Sequence, residues 1–451
     1  MILQIPDSVS FDTLFDEYET GIHNLRTSKG RAKLADKLAW ILDSILKQMN
    51  ELDEIRYSSY GSREDSNVYV PLYSKILNKV LGNGYSRYFR YLEECSVISP
   101  YPFHNEGSSR KYAINQEYYT VPVDHEVTDW TFIRKLRLSR IEVRFPENTP
   151  RSLIDNSREV LVKMLEHFDG LEIDYEGALK KLEELKITES AESGDHQANR
   201  QYIKRMYELN NINNKRYTVV RDHNVERVHT PVVRLKRELR HYLTYNGGRL
   251  VNVDIKNSQP YFLNKLLTPN YFRKLQRSSM FVRPMSFNHS VCQSIVDEGE
   301  QDLNFYREST SSGTYYESLE EDVDETFNSR KELKKAVLTS MYSSNKSRVP
   351  VITKIRRVMA QKYPTVLKLM EAVKDNNYKN LSYLLQLTES ELMIDKISLK
   401  LVREYPDKPF FTVHDSIICL KEDKQLIYSI FESETTEFVG RPPTFDTEYL
   451  F

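Results

Sequence analysis

The sequence predicts an α+β chain: a small antiparallel sheet whose strand ends carry aspartates, surrounded by helical regions and preceded by a helix–hairpin module. Three observations predict it. Val253-Asp254-Ile255-Lys256-Asn257-Ser258-Gln259 and Thr412-Val413-His414-Asp415-Ser416-Ile417-Ile418 each set an aspartate beside a run that reads as buried strand. Arg330, Lys334, Leu338 and Tyr342 recur every four residues, the spacing of one helical face. Residues 66–115 read as helix, turn, helix, hairpin. At 451 residues the chain has room for two or three domains, and 39% hydrophobic residues exclude general disorder. A formal net charge of −1 excludes steering of the whole protein to nucleic acid, so any such binding must come from local patches.

In chain order, Val70-Pro71-Leu72 opens a helix that runs to Leu81, where Gly82-Asn83-Gly84 breaks it. A second helix follows from Tyr85 to about Cys95, with Arg87 and Arg90 outward beside apolar Phe89 and Leu92. Pro100 to Ile114 then alternates around a polar tip at Asn105–Lys111. The pattern is winged-helix-like, and Arg87 and Arg90 would face DNA. A protein–protein adaptor built from the same helix–hairpin unit fits the pattern as well.

Residues 126–199 read as largely helical, with Leu153, Val160, Leu161, Met164, Leu165 and Phe168 at helical intervals, then Leu179, Leu182 and Leu185. Glu189 to Gln197, small, polar and acidic, reads as a tip or linker. A basic segment follows: Arg200, Lys204, Arg205, Lys215, Arg216, Arg221, Arg227, Arg234, Lys236, Arg237 and Arg240, interleaved with Tyr202, Tyr207, Tyr217 and Tyr242. Cations and rings in that mixture predict a surface that tracks phosphates and stacks bases. The alternative is a solvated helix face.

Leu250–Ile255 is a short apolar strand entered through Asn246-Gly247-Gly248, and Phe410–Leu420 reads as a hairpin with His-Asp-Ser at its tip. Carboxylates on neighbouring strands can bridge two divalent cations about 3.5–4 Å apart, the geometry of nucleotidyl transfer. Taken singly, each aspartate could equally end a strand or occupy a turn. In the segment from Ser329 to Tyr342, Leu333, Val337 and Met341 form an apolar stripe, so a packed helix would present Arg330 and Lys334 to a cleft. Cations one turn apart suit a triphosphate.

In the order Asp254, Arg330/Lys334/Tyr342, Asp415, these motifs resemble the palm and fingers of the family A DNA polymerases and of the related phage-type single-subunit RNA polymerases. The resemblance covers residues 200–451 and implies a right-hand polymerase with an antiparallel palm sheet and helical fingers. Residues 126–199 would then be thumb-like and residues 1–125 the helical, winged-helix-like module. By resemblance, Asp254 and Asp415 ligate two Mg²⁺ ions (or Mn²⁺), Arg330 and Lys334 contact the triphosphate, Leu338 and Tyr342 flank the nucleotide, and His414 lies by the primer terminus. Arg227, in Glu226-Arg227-Val228-His229-Thr230, is similar to the family's arginine facing the primer, and Gln386 to the glutamine before the last catalytic strand. Arg234 and Arg237 would add nucleic-acid contacts.

Departures accompany the matches. Ser343-Ser344-Asn345 follows Tyr342 where the family has glycine, which puts the turn geometry in question. Leu338 replaces a common aromatic. Gln259 stands five residues after Asp254, where DNA polymerases carry a glutamate that crowds a ribose 2′-hydroxyl, while His-Asp-Ser is the RNA polymerase form. Steric exclusion at the sugar favours dNTPs, giving DNA synthesis without a recognisable proofreading segment. The alternatives are an RNA-synthesising or template-independent polymerase, or a non-catalytic DNA-binding protein with a degenerate palm. Family analogy points to a phage, mobile-element or defence setting, with DNA and nucleoside triphosphates as partners and an accessory protein or oligomer open. Dispersed Cys95, Cys292 and Cys419, and no apolar run of spanning length, predict a reduced, cytoplasmic location without membrane contact.

Overall fold

The computed structural model describes residues 1–18, 27–56, 68–102, 109–137, 141–143, 150–222, 224–277, 287–299, 301–320, 327 and 329–451. It is a mixed helix-and-strand protein whose described sheets are antiparallel except where Ile141–Val143 pairs in parallel with Val219–Arg221. The chain divides into two compact units that interleave in sequence, one of Met1–Arg140, Leu171–Thr218 and Arg234–Leu243, the other of Ile141–Gly170, Val219–Val233 and Thr244–Phe451. These units cross the linear boundaries at 125 and 199 drawn from sequence, because segments distant along the chain share a core.

In the first unit the Ser28–Arg56 helix buries Leu34, Leu38, Ile41, Leu42 and Ile45 against Tyr88, Phe89, Tyr91 and Leu92. Val70–Pro71, expected to open the first helix, is instead a strand paired with Lys111–Tyr112; helices Ser74–Leu81 and Ser86–Glu94, then strands Ile98–Pro100 and Lys111–Ile114, follow in order. The last strand lies between the other two. Arg87 and Arg90 are exposed while Phe89 and Leu92 are buried, as the helical spacing predicts. The expected wing tip falls mostly in 103–108, outside the described residues.

Helices Tyr175–Ser193 and Asp195–Asn213 pack as an antiparallel pair joined at Gly194. Glu189–Gln197, expected as a tip or linker, is the mostly exposed junction of this pair, helical on either side of Gly194. Within the pair, each Glu189 carboxylate oxygen accepts from Arg205 at 2.8 Å.

The second unit is built on strand Gly248–Ile255, which lies between Ser416–Leu420 and Phe445–Tyr449. Leu250, Val251, Val253 and Ile255 are all buried, which is why the run is apolar without alternating: both faces are covered. Asn246 and Gly247 have φ of 47° and 75°, the left-handed pair that a tight hairpin turn requires. Phe410–Val413 and Ser416–Leu420 form the expected hairpin, with Val413 opposite Ser416 and His414-Asp415 at the tip. Helix Lys424–Val439 packs on this sheet, and Arg151–His167 packs on Phe410–Val413.

Candidate functional site

The site grows from the register of the sheet. Asp254 lies directly opposite Ser416 across one strand pair and opposite Asp446 across the other. Asp415 precedes Ser416 in the two-residue turn, so the two motif aspartates occupy neighbouring strand ends, both half-buried. His414 has φ of 56°, a left-handed turn position. Among the described residues no group of three or more His, Cys, Asp or Glu side chains forms a ready metal cage.

The Arg330–Tyr342 helix forms as its sequence predicts. Ser329 caps it by accepting from the Glu332 N–H, and Leu333, Val337 and Met341 are fully buried. Arg330 and Lys334 are exposed and Leu338 is half-buried. The Arg330 guanidinium lies 5.6 Å from the Tyr316 ring centroid and donates from Nε to Glu317 Oε1 at 2.5 Å.

The turn after Tyr342 needs no glycine. Ser343 is extended, with φ −72° and ψ 156°, and the helix-end carbonyls are covered by two cations from elsewhere. Lys374 Nζ donates to Met341 O at 2.9 Å and Ser343 O at 3.2 Å. Arg356 donates to Ser343 O, Ser344 O and Asn345 O. These bonds do what a left-handed glycine cap does by another route. Burial, helped by the nearby Arg356 charge, pulls the Lys374 ammonium down to about 8.

Three motifs meet through hydrogen bonds. Tyr342 OH donates to Gln259 Oε1 at 2.6 Å, Gln259 Nε2 donates to Glu389 Oε2 at 2.7 Å, and Arg227 Nη2 donates to the same oxygen at 2.8 Å. Burial pushes the Glu389 carboxyl up to about 7; Arg227 opposes that rise and Asp415 adds to it. Burial also raises the Tyr342 and Tyr316 phenols, and the Asp415 charge contributes to both. Asp415, Glu389, Tyr342, Tyr316, Arg227 and Arg330 thus lie within electrostatic reach of one neighbourhood.

Glu389 is the residue sequence reasoning missed. Gln386, expected as the counterpart of the glutamine before the last catalytic strand, lies one turn earlier and is half-buried. A signal was available: Leu381, Leu385, Glu389 and Met393 recur every four residues, which puts a carboxylate on the buried stripe of its helix. The helix continues from Asn380–Ser390 into a π-helical stretch, Glu391–Ser398, a wider turn that begins just after Glu389.

The basic segment is corrected. Arg216 pairs with Asp43, Arg221 with Asp395 and Glu226, Arg234 with Glu208, and Arg205 and Lys236 with Glu189. Arg221 is fully buried, the Arg234 side chain is 8% exposed, and Tyr207 and Tyr217 lie in the core. These cations are held by acids within the fold, two of them, Asp43 and Asp395, from distant parts of the chain, so much of the segment is internal structure rather than a phosphate-tracking surface. Arg237 stays exposed.

No family model matches the chain, and no curated protein matches it. Among solved structures it is similar to the POL domain of Pol1 from M. smegmatis in complex with DNA primer-template and dNTP. That likeness has 12% identity and a TM-score of 0.27, and it covers 66% of this chain and 64% of that one. Among the described residues, no helix is long and apolar enough to cross a membrane.

Proposed function

We propose that the chain is a nucleotidyltransferase of family A polymerase type, joining a 3′-hydroxyl to the α-phosphate of a dNTP in DNA synthesis without proofreading. The observation that supports this is convergence. Segments 253–259, 330–342 and 412–418 are distant in sequence, yet Asp254 stands opposite Ser416 beside Asp415, and Tyr342 bonds Gln259.

Asp254 and Asp415 would hold two Mg²⁺ ions, with Mn²⁺ as a substitute. The donor set fits: Mg²⁺ takes hard carboxylate oxygens, usually one or two, and completes its shell with water and substrate phosphate rather than an all-protein cage. When bound, the ions supply a more acidic attacking hydroxyl and charge to offset the departing pyrophosphate. Lys334 and Arg330 would hold the triphosphate. The Arg330–Glu317 pair is half-exposed, 52% and 45%, so exchanging Glu317 for phosphate costs little. Tyr342 and Leu338 would cover the base pair, Gln259 would crowd the 2′-hydroxyl, and His414 would flank the primer terminus. Arg227, with exposed Arg87, Arg90 and Arg237, would contact DNA. Arg234, buried against Glu208, leaves that set.

The test is incubation of purified protein and Mg²⁺ with each labelled dNTP and NTP, with and without primer-template, followed by product sizing. Elongation that Asp254→Ala and Asp415→Ala abolish supports the reading. DNA binding without any nucleotide incorporation replaces it with a non-catalytic DNA-binding protein.

A further inference from the structure

The Gln259 amide is held by two hydrogen bonds of opposite sense. Its Nε2 donates to Glu389 Oε2 at 2.7 Å while its Oε1 accepts from Tyr342 OH at 2.6 Å. Above about pH 7, where Glu389 is ionised, its carboxylate accepts only, so a flipped amide would set oxygen against oxygen there. Glu389 therefore decides which way Gln259 faces. Arg227 Nη2, at 2.8 Å from the same oxygen, anchors the carboxylate in turn. Glu389 is 2% exposed, and the side chain it orients is aligned from two elements at once.

The same geometry accounts for glutamine at 259. A carboxylate there would meet the Glu389 carboxylate at hydrogen-bond distance, and two such groups cannot both stay ionised. Gln259 and Glu389 are a matched donor–acceptor pair.

We propose that Glu389 is a positioning residue for sugar selection: it locks the Gln259 amide and, through it, the Tyr342 hydroxyl in the arrangement that admits deoxyribose and rejects ribose. This rests on the polymerase reading above. Glu389 acts through Gln259 and Tyr342 and contacts no substrate itself.

An exchange of the pair tests it. The kcat and KM for dNTPs and matching NTPs are measured on the full chain for wild type, Gln259→Glu, Glu389→Gln and the doubly exchanged Gln259→Glu/Glu389→Gln, with thermal melts on all four. Gln259→Glu alone should lose about tenfold or more of the dNTP/NTP preference, mainly through KM, the scale of one pocket contact. The double exchange restores a donor facing an acceptor and should return the preference to within about threefold of wild type, a non-additive cycle. If Gln259→Glu does not fold, recovery of both folding and preference in the double exchange supports the pairing. Polymerisation whose sugar preference ignores Gln259→Glu, or a double exchange no better than the single, overturns the inference and leaves the polymerase reading intact. Wild type that incorporates neither sugar overturns both.

Discussion

Two arginine–carboxylate pairs, one in each unit, differ in what surrounds the acid. Asp43 in the first unit accepts from the Gln4 N–H at 2.9 Å, from Tyr207 OH at 3.2 Å and from Arg216 Nη2 at 2.7 and 2.8 Å. Glu389 in the second unit accepts from Arg227 and Gln259, both on one oxygen, and is more deeply buried. Burial leaves its proton held up to about pH 7. The lesson is that buried ion pairs are not one class. An acid surrounded by donors is a structural clamp, whereas one left short of donors and near other acids has the character of a functional site.

The largest effect that would sharpen this contrast is catalytic. Asp254→Ala or Asp415→Ala should lower Mg²⁺-dependent incorporation on the order of a thousandfold, the scale of lost transition-state charge stabilisation, with the melting profile retained. Wild-type turnover in either variant breaks the assignment.

In the first unit the expected effect is on stability. Asp43→Ala leaves Arg216 buried without its partner and should cost about 3 kcal/mol in urea denaturation. A cost near zero would make the two pairs equivalent.

The third expectation concerns pH. The Glu389 carboxyl is raised from 4.5 to about 7 by burial, so between those values the unfolded chain releases a proton that the folded protein keeps. Stability from this group therefore falls as pH rises through that window, by about 3 kcal/mol in all, and the loss is complete above it. Glu389→Gln should flatten this part of the pH profile when denaturation is compared at about pH 5 and 8. An unchanged profile would return Glu389 to the clamp class.

The smallest effect is at the exposed cations. Lys334→Ala, and to a lesser degree Arg330→Ala, should raise KM for nucleotide about tenfold while DNA affinity holds. The reverse pattern would move these residues to the nucleic-acid interface.

The sequence by itself determined the local elements. Hydrophobic period, Ser329 at a helix start and Asn246-Gly247 between strands specify the Arg330–Tyr342 helix and the Gly248–Ile255 strand, because capping and turn chemistry act within a few residues. The hairpin tip at His414-Asp415 was legible for the same reason. Only the tertiary structure decided where charges find partners. Asp43 lies 173 residues from Arg216, and Glu389 lies 162 from Arg227, separations over which composition carries no pairing information. That is why much of a basic segment that reads as a nucleic-acid surface turned inward, why Lys374 and Arg356 could stand in for a glycine cap, and why Glu389 joined the site. Desolvation makes an unpaired buried charge too costly to keep, so the fold brings distant partners together.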